Sequence, residues 1–242
     1  MTENLLEVTA VSKRFGGFVA LAGIDLSVRR GERLGIIGPN GSGKTTLMNC
    51  ICGSLRSDGG SIRFDGADIT RLATYRRTRL GMARSFQIPR PFLSMTLAEN
   101  VAVPLEYVRH RRSAHTADVR SEALAIIERL GLADKADAPA STFSQVELRK
   151  LELARAMAAR PALLMLDEVM AGLSAAEVDE LLAILLALSR DGVTVIMIEH
   201  IMRAIMRFSE RVVCLDAGRI VADGTPAQVV ADADVQRIYL GA

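Results

Sequence analysis

The stretch Leu34-Gly-Ile-Ile-Gly-Pro-Asn-Gly-Ser-Gly-Lys-Thr-Thr46 decides the fold class of this chain. Its first four residues are mostly apolar and predict a buried strand, and residues 46–52 favour a helix. Between them, residues 38–45 fit the spacing G-x-x-x-x-G-K-[ST], in which successive backbone N–H groups surround phosphate oxygens. A strand before the loop and a helix after it are the context that this spacing requires. The sequence therefore predicts a nucleotide-binding loop in an α/β fold.

The residues of this loop have separate roles in phosphate binding. Gly38, Gly41 and Gly43 permit a close backbone approach that a Cβ atom would block. Lys44 is placed to reach the β- and γ-phosphates of ATP, and the hydroxyl of Thr45 is placed to ligate Mg²⁺. The N-terminus of the following helix adds the positive end of its dipole. We expect the ATP-binding residues of the loop to be Gly38, Pro39, Asn40, Gly41, Ser42, Gly43, Lys44, Thr45 and Thr46.

Composition agrees with this fold class and limits where the chain works. Half of the 242 residues are hydrophobic and aromatic residues are scarce, which suits helices packed on buried parallel strands. Apolar runs such as 193–198 are far shorter than the ~18 residues of a membrane span, and the first residues lack the pattern of a secretory signal. We therefore expect a cytoplasmic chain that does not cross a bilayer by itself. Three cysteines without zinc or redox spacing predict core thiols and no disulfide.

The order of predicted elements gives the architecture. Strands that alternate with helices after residue 144 imply a parallel sheet with right-handed crossovers. We predict strands at 5–11, 19–28, 34–37, 162–166, 193–198 and 211–215, and helical periodicity at 97–107 and 123–130. The predicted fold is a P-loop NTPase core with a mostly parallel sheet, an antiparallel β subdomain and a helical subdomain. It forms one domain over 5–240, with the core at 5–70 and 144–222, the helical subdomain at 71–143 and a tail at 223–242.

Two carboxylates follow the apolar residues Leu163 to Leu166. Ligands of open α/β sheets bind at the carboxyl ends of the strands, which is where Asp167 and Glu168 would lie. Asp167 would hold Mg²⁺, directly or through water, and Glu168 would orient the water that attacks the γ-phosphate. The alternative is a pair of strand-end carboxylates that face solvent. Behind a phosphate loop, the catalytic interpretation is favoured.

With these motifs in place, the chain resembles the ATPases of ABC transporters, from about residue 5 to residue 240. The resemblance implies that Phe15 stacks on adenine, although a packed residue at a strand end is the alternative. It implies that Gln87, in Arg84-Ser-Phe-Gln-Ile-Pro-Arg-Pro-Phe92, contacts the metal ion and the attacking water. It also implies that His200, which follows a buried strand, reaches the γ-phosphate as a hydrogen-bond donor. The segment Ala171-Gly-Leu-Ser174 resembles the loop that links two ATPase subunits, and Ser174 with Glu177 also fits a helix capping box.

A finer resemblance is to the ATPases of branched-chain amino acid importers. It depends on residues 87–92, on Ile198-Glu-His200 and on the ending from Gly224-Thr-Pro226 to Tyr239-Leu-Gly241. It implies ATP and Mg²⁺ as cofactors, and peripheral attachment to the inner face of the cell membrane. The implied partners are a second ATPase subunit, two integral membrane permeases and, indirectly, a periplasmic or extracellular solute-binding protein. The transported solute is not fixed by the sequence.

The chain departs from the family at the Leu-Ser-Gly-Gly-Gln signature, where it reads Phe143-Ser-Gln-Val-Glu147. In the family this signature closes over ATP on the opposite subunit. Ser144 is retained and is expected to contact nucleotide there. Val146 adds bulk where the backbone must approach phosphate, and Glu147 adds a negative charge. We therefore expect the chain to pair with a different ATPase that carries an intact signature, with a homodimer as the alternative.

Other functions are disfavoured by specific absences from the sequence. A soluble ABC-type ATPase of repair or translation would show two cassettes or a coiled-coil insertion, and the sequence shows neither. A nucleotide-dependent regulatory module would lack a water-orienting carboxylate, whereas Glu168 is present. A GTPase would need an Asn-Lys-x-Asp stretch. The net charge is only +2, and the basic residues near Arg76, Arg84 and Arg109 lack interleaved aromatic residues, so no nucleic-acid partner is expected.

Overall fold

The computed structural model describes residues 4–85, 90–109 and 118–240. A six-stranded sheet forms the centre of the described chain, with the strand order β10-β9-β3-β8-β7-β6. Five of its strands run parallel, and β10 is antiparallel to β9. These strands are β3 (Arg33–Ile37), β6 (Met82–Arg84), β7 (Leu163–Asp167), β8 (Thr194–Ile198), β9 (Arg211–Asp216) and β10 (Arg219–Gly224).

A second, antiparallel sheet has the order β2-β1-β4-β5. Its strands are β1 (Asn4–Phe15), β2 (Phe18–Arg29), β4 (Gly59–Phe64) and β5 (Ala67–Asp68). The pairing of the long strands β1 and β2 contains several register shifts, for example between Val8 and Val11. Such shifts bend and twist a strand pair, which allows it to curve over the central sheet.

Nine α-helices complete the described part of the chain. They are α1 (Lys44–Cys52), α2 (Thr74–Arg79), α3 (Leu97–Arg109), α4 (Val119–Arg129), α5 (Gln145–Ala158), α6 (Ala175–Arg190), α7 (Met202–Phe208), α8 (Pro226–Ala231) and α9 (Ala233–Leu240). No helix among the residues described is both long and apolar enough to cross a membrane.

The central strands are buried on both faces, because successive side chains enter two different cores. Leu164, Leu166 and Val195 belong to a core that also contains residues of α3 to α9. Leu163, Met165 and Ile196 belong to a core on the other face, with α1 and the antiparallel sheet. This double burial explains the uninterrupted apolar runs in the sequence, and the mixed fold confirms the predicted fold class.

The structure contains elements that sequence periodicity did not predict, among them strands β4, β5, β6 and β10 and helices α8 and α9. Strand β6 lies within the predicted helical subdomain, yet it pairs in parallel with β7 as part of the central sheet. Three residues are too few to show a period, which explains why it was missed. The predicted tail forms α8 and α9, whose Val229 and Val235 are buried in the first core. The cysteines Cys50, Cys52 and Cys214 are buried free thiols.

Candidate nucleotide-binding site

The loop from Gly38 to Gly43 joins β3 to α1, as the motif predicts. Gly38 has φ 145° and Gly43 has φ 106°, values that residues with side chains rarely adopt. A Cβ atom on Gly38 would lie 2.1 Å from the carbonyl oxygen of Leu215, and one on Gly43 would lie 2.5 Å from that of Ala20. Both glycines are therefore required by backbone conformation and by space.

Lys44 is held inside the loop by backbone carbonyls. Its Nζ donates to the carbonyl oxygens of Gly38 at 2.7 Å and of Pro39 at 2.9 Å. Burial lowers the pKa of Lys44, and the nearby carboxylates of Glu168 and Asp167 oppose this shift. Helix α1 has neither a side-chain cap nor an acidic residue in its first turn. Its N-terminus and the ammonium group together form a site that favours an anion.

Asp167 lies at the end of β7 and pairs with Arg84 of the neighbouring strand. Nη2 of Arg84 donates to Oδ2 of Asp167 at 2.6 Å, and Nη1 donates to Oδ1 of Asn49 in α1 at 2.5 Å. Both members of the ion pair are largely buried. The sequence alone does not indicate this pair, because Arg84 and Asp167 are 83 positions apart. The position of Arg84 at the end of a strand next to β7 was the missing information.

Glu168 and His200 are in direct contact. Asp167 of β7 is paired with Ile198 of β8, so the residues after these two positions emerge at the same edge of the sheet. Nε2 of His200 lies 2.7 Å from Oε1 of Glu168. Glu168 has φ 50°, a left-handed conformation that is uncommon outside glycine and recurs at functional sites. Its N–H donates to the carbonyl oxygen of Ile198 at 2.9 Å, which fixes this turn.

Glu199 is a buried carboxyl group to which the sequence pattern assigns no role. Its Oε1 accepts a hydrogen bond from the N–H of Met170 at 2.9 Å. Burial raises the pKa of Glu199 to about 7, although the hydrogen bond from Met170 favours the ionised form. This hydrogen bond therefore links Glu199, the residue before His200, to Met170 in the segment after Glu168. In the sequence, the available signal for a role of Glu199 was its position directly after the apolar strand β8.

The remaining predicted residues lie in separate places. Phe15 ends β1, is half exposed, and has Nζ of Lys13 at 5.6 Å from its ring centroid. Gln87 lies outside the described residues. Ser144 is the N-cap of α5 and forms a capping box with Glu147. The stacking role of Phe15 and the nucleotide contact of Ser144 stay predictions.

Comparison with known proteins decides the family. The family model described as ABC transporter matches residues 21–171, more than half of the chain. The chain belongs to the ABC transporter family. A second model, described as branched-chain amino acid ATP-binding cassette transporter, matches residues 219–242. Members of this ATPase family hydrolyse ATP to drive transport, so the chain is an ABC ATP-binding subunit and an ATPase.

Individual relatives agree with this placement. The chain is 39% identical to the high-affinity branched-chain amino acid transport ATP-binding protein BraF of Pseudomonas aeruginosa, over 100% of this chain and 99% of that protein. The crystal structure of the ADP conformation of MJ1267, an ATP-binding cassette of an ABC transporter, superposes with TM-score 0.89 at 31% identity and covers 100% of both chains. The dimeric, post-hydrolysis cassette MJ0796 bound to ADP and Pi superposes with TM-score 0.81 at 25% identity, over 91% of this chain and 98% of that one.

Two side chains of this ABC ATPase, Thr45 and Asp167, would suit Mg²⁺ if the ion binds together with nucleotide. Thr45 and Asp167 offer oxygen atoms, which Mg²⁺ prefers, and this ion takes one or two protein ligands together with phosphate oxygens. Within 4–85, 90–109 and 118–240, no group of three or more carboxylate, imidazole or thiol side chains would hold a metal ion by itself. Arg84 already compensates the Asp167 carboxylate, so a metal ion would have to share this carboxylate with the guanidinium. When bound, Mg²⁺ would neutralise phosphate charge.

The charge that Glu147 adds to the altered signature of this ABC ATPase is paired within the chain. Ser144 donates from its backbone N–H and from Oγ to Oε2 of Glu147, at 2.8 and 2.9 Å. Glu147 also pairs with Lys135. These contacts, led by the one with Lys135, lower the pKa of Glu147 and keep it ionised. The negative charge that was expected to repel nucleotide is therefore compensated within the same chain.

Proposed function

We propose that this chain is the ATPase subunit of a transporter that imports branched-chain amino acids or related small polar solutes. The catalytic part of this proposal rests on the 2.7 Å contact between His200 Nε2 and Glu168 Oε1, at the sheet edge where Asp167 also lies. The match of residues 219–242 and the similarity to BraF support the class of solute.

In this proposal the residues divide the work of hydrolysis. Lys44 and the loop backbone bind the phosphates, while Thr45, Asp167 and Gln87 hold the metal ion. Glu168 orients and polarises the attacking water, and His200 donates to the γ-phosphate. The contact between Glu168 and His200 supports this division, because it places Nε2 of the imidazole and the carboxylate together at one edge of the sheet. In the nucleotide-bound state Nε2–H would donate to the γ-phosphate in place of Glu168.

The proposed assembly contains a second ATPase subunit, two integral membrane permeases and, outside the membrane, a solute-binding protein. The chain is then cytoplasmic and peripheral at the inner face of the cell membrane. Val146 in the signature supports a different chain as the second ATPase, because a side chain replaces glycine where backbone approaches phosphate. A homodimer is the alternative, and the compensation of Glu147 by Lys135 reduces the electrostatic argument against it.

Substitution of Glu168 by Gln tests the catalytic assignment. The purified assembly carrying Glu168→Gln should bind ATP with wild-type affinity and hydrolyse it at least about 100-fold more slowly, because the amide cannot accept a proton. Lys44→Ala should lose nucleotide binding itself. Glu177→Gln, in the first turn of α6, is a matched control that removes a carboxylate from a helix cap. Wild-type turnover by Glu168→Gln would show that the assignment is wrong.

The transport assignment requires a second experiment. The tagged chain should co-purify from membranes with two permeases, and a solute-binding protein loaded with leucine should stimulate ATPase activity of the reconstituted assembly. Glutamate is the control solute. Recovery of the chain without any membrane partner would favour a soluble ABC-type ATPase or a non-transport regulatory module.

A further inference from the structure

The C-terminal helix contacts the phosphate loop through one hydroxyl group. The N–H of Gly38 donates to Oη of Tyr239 at 2.7 Å, although the two residues are 201 positions apart. Tyr239 lies in α9, within the residues 219–242 that match the branched-chain amino acid ATP-binding cassette transporter model. The hydrolytic mechanism assigns no role to this residue.

Gly38 stands at the position where the sheet gives way to the loop. The parallel pairing of β3 with β9 ends at Ile37 and Cys214, so the next amide has no partner in the ladder. Tyr239 accepts its N–H, and the carbonyl of Gly38 accepts from Nζ of Lys44 at 2.7 Å. Gly38 therefore joins the phenol of α9 to the lysine that binds phosphate.

Helix α9 packs against α8 and β10 and contributes a residue to the first core. Val235 is buried in the first core, and Oδ1 of Asp232 accepts hydrogen bonds from the N–H groups of Asp234 and Val235. The ring of Tyr239 remains partly exposed, at 42% for the residue. Partial burial of the phenol raises the pKa of Tyr239. A phenol is protonated at neutral pH even without this shift.

We propose that Tyr239 is a positioning residue for the phosphate loop, and that docking of α9 controls nucleotide affinity through it. The hydroxyl holds Gly38, and through Gly38 the loop, in the conformation that presents Lys44. Release of α9 removes this support and weakens binding of ATP and ADP alike. The inference rests on nucleotide binding by the loop and is independent of the transported solute.

Tyr239→Phe removes the hydroxyl and keeps the ring. One hydrogen bond contributes about 1 kcal/mol, so the Kd for ATP and for ADP should rise about three- to tenfold. KM should rise by the same factor with kcat unchanged, because the support acts equally in the ground and transition states. Tyr75→Phe is the matched control, since Tyr75 is an exposed tyrosine at the start of α2. An unchanged Kd for Tyr239→Phe would overturn the proposal.

Hydrogen exchange separates positioning from general stability. In the full-length chain, Tyr239→Phe should speed exchange of the Gly38 amide, while β8, which α9 does not hold, should exchange as in the wild type. Uniformly faster exchange across β3, β7 and β8 would indicate loss of global stability and would contradict a positioning role. Glu168→Gln reports on the hydrolytic assignment separately, so the two proposals fail independently.

Discussion

At the scale of single residues, several charged side chains at the carboxyl edge of the central sheet are largely buried. Asp167 is largely buried and is compensated by Arg84, which also donates to Asn49 of α1. A buried ion pair adds little net stability, because desolvation offsets most of the attraction. Its consequence here is geometric. The guanidinium joins the end of β6, just before the segment that contains Gln87, to the carboxylate proposed to hold the metal ion.

Glu199 gives the stability of the protein a specific pH dependence. Its pKa is raised from 4.5 to about 7 by burial, so the folded chain binds more protons than the unfolded chain between these values. The contribution of this group to the free energy of unfolding therefore falls as pH rises through this window, by about 3 kcal/mol in all. Glu199→Gln keeps an acceptor for the N–H of Met170 and removes the ionisation.

The measurement is urea denaturation from pH 5 to pH 8. Glu199→Gln should match the wild type near pH 5 and exceed its stability by about 3 kcal/mol at pH 8. Glu106→Gln, at an exposed position of α3, should change neither value. Parallel pH profiles for Glu199→Gln and the wild type would contradict the assigned ionisation.

At the scale of elements, the first turn of α5 combines two functions. Ser144 caps the helix, and its partner Glu147 completes the capping box and binds Lys135. The same serine is the residue proposed to contact nucleotide on a partner subunit. A capping box fixes the direction in which the helix N-terminus points, so the cap and the proposed contact depend on the same geometry.

Ser144→Ala separates these two functions when it is compared with Thr225→Ala. Thr225 caps α8 with an equivalent box that includes Gln228. Each substitution should lower the free energy of unfolding by about 1 kcal/mol, measured by urea denaturation. Only Ser144→Ala should also slow ATP hydrolysis by the assembled ATPase pair. Equal ATPase rates for both variants would restrict Ser144 to a capping role.

At the scale of the whole molecule, the central sheet separates two cores. The candidate nucleotide-binding site lies at the carboxyl edge of this sheet, next to both cores. One core includes helices α3 to α9, and the other includes α1 and the antiparallel sheet. Close-packed protein cores have low compressibility and transmit strain. The edge that holds Glu168 and His200 is therefore placed to respond to movements on either face.

The assembly predicted for the molecule is a pair of unlike ATPases. The Glu168→Gln chain alone should remain monomeric with ATP, and it should dimerise when an ATPase with an intact signature is added. Light scattering coupled to size exclusion measures both states. The control is Glu168→Gln combined with Val146→Gly, which should gain self-association because the signature backbone is freed. A homodimer of the original signature with two equivalent active sites would contradict the prediction.

The amino-acid sequence by itself determined the phosphate loop, the buried strands and the two carboxylates at the end of β7. These features depend on local periodicity and on spacing within a few residues, which a sequence displays directly. Strands β4, β5, β6 and β10 and helices α8 and α9 were not predicted, because elements of two to eight residues show at most a weak period. The boundaries of the helical subdomain stay a prediction.

The tertiary structure alone decided which distant side chains meet. Arg84 reaches Asp167, His200 reaches Glu168, and Tyr239 reaches Gly38, across separations of 83, 32 and 201 residues. It also decided that Lys135 compensates Glu147. The contacts of Arg84 with Asp167 and of His200 with Glu168 follow from the order and register of the strands, which bring strand ends to one edge. The contacts of Tyr239 and Lys135 depend on how α9 and the segment before α5 pack. No local pattern encodes the strand order, because it results from packing the whole chain around two shared cores.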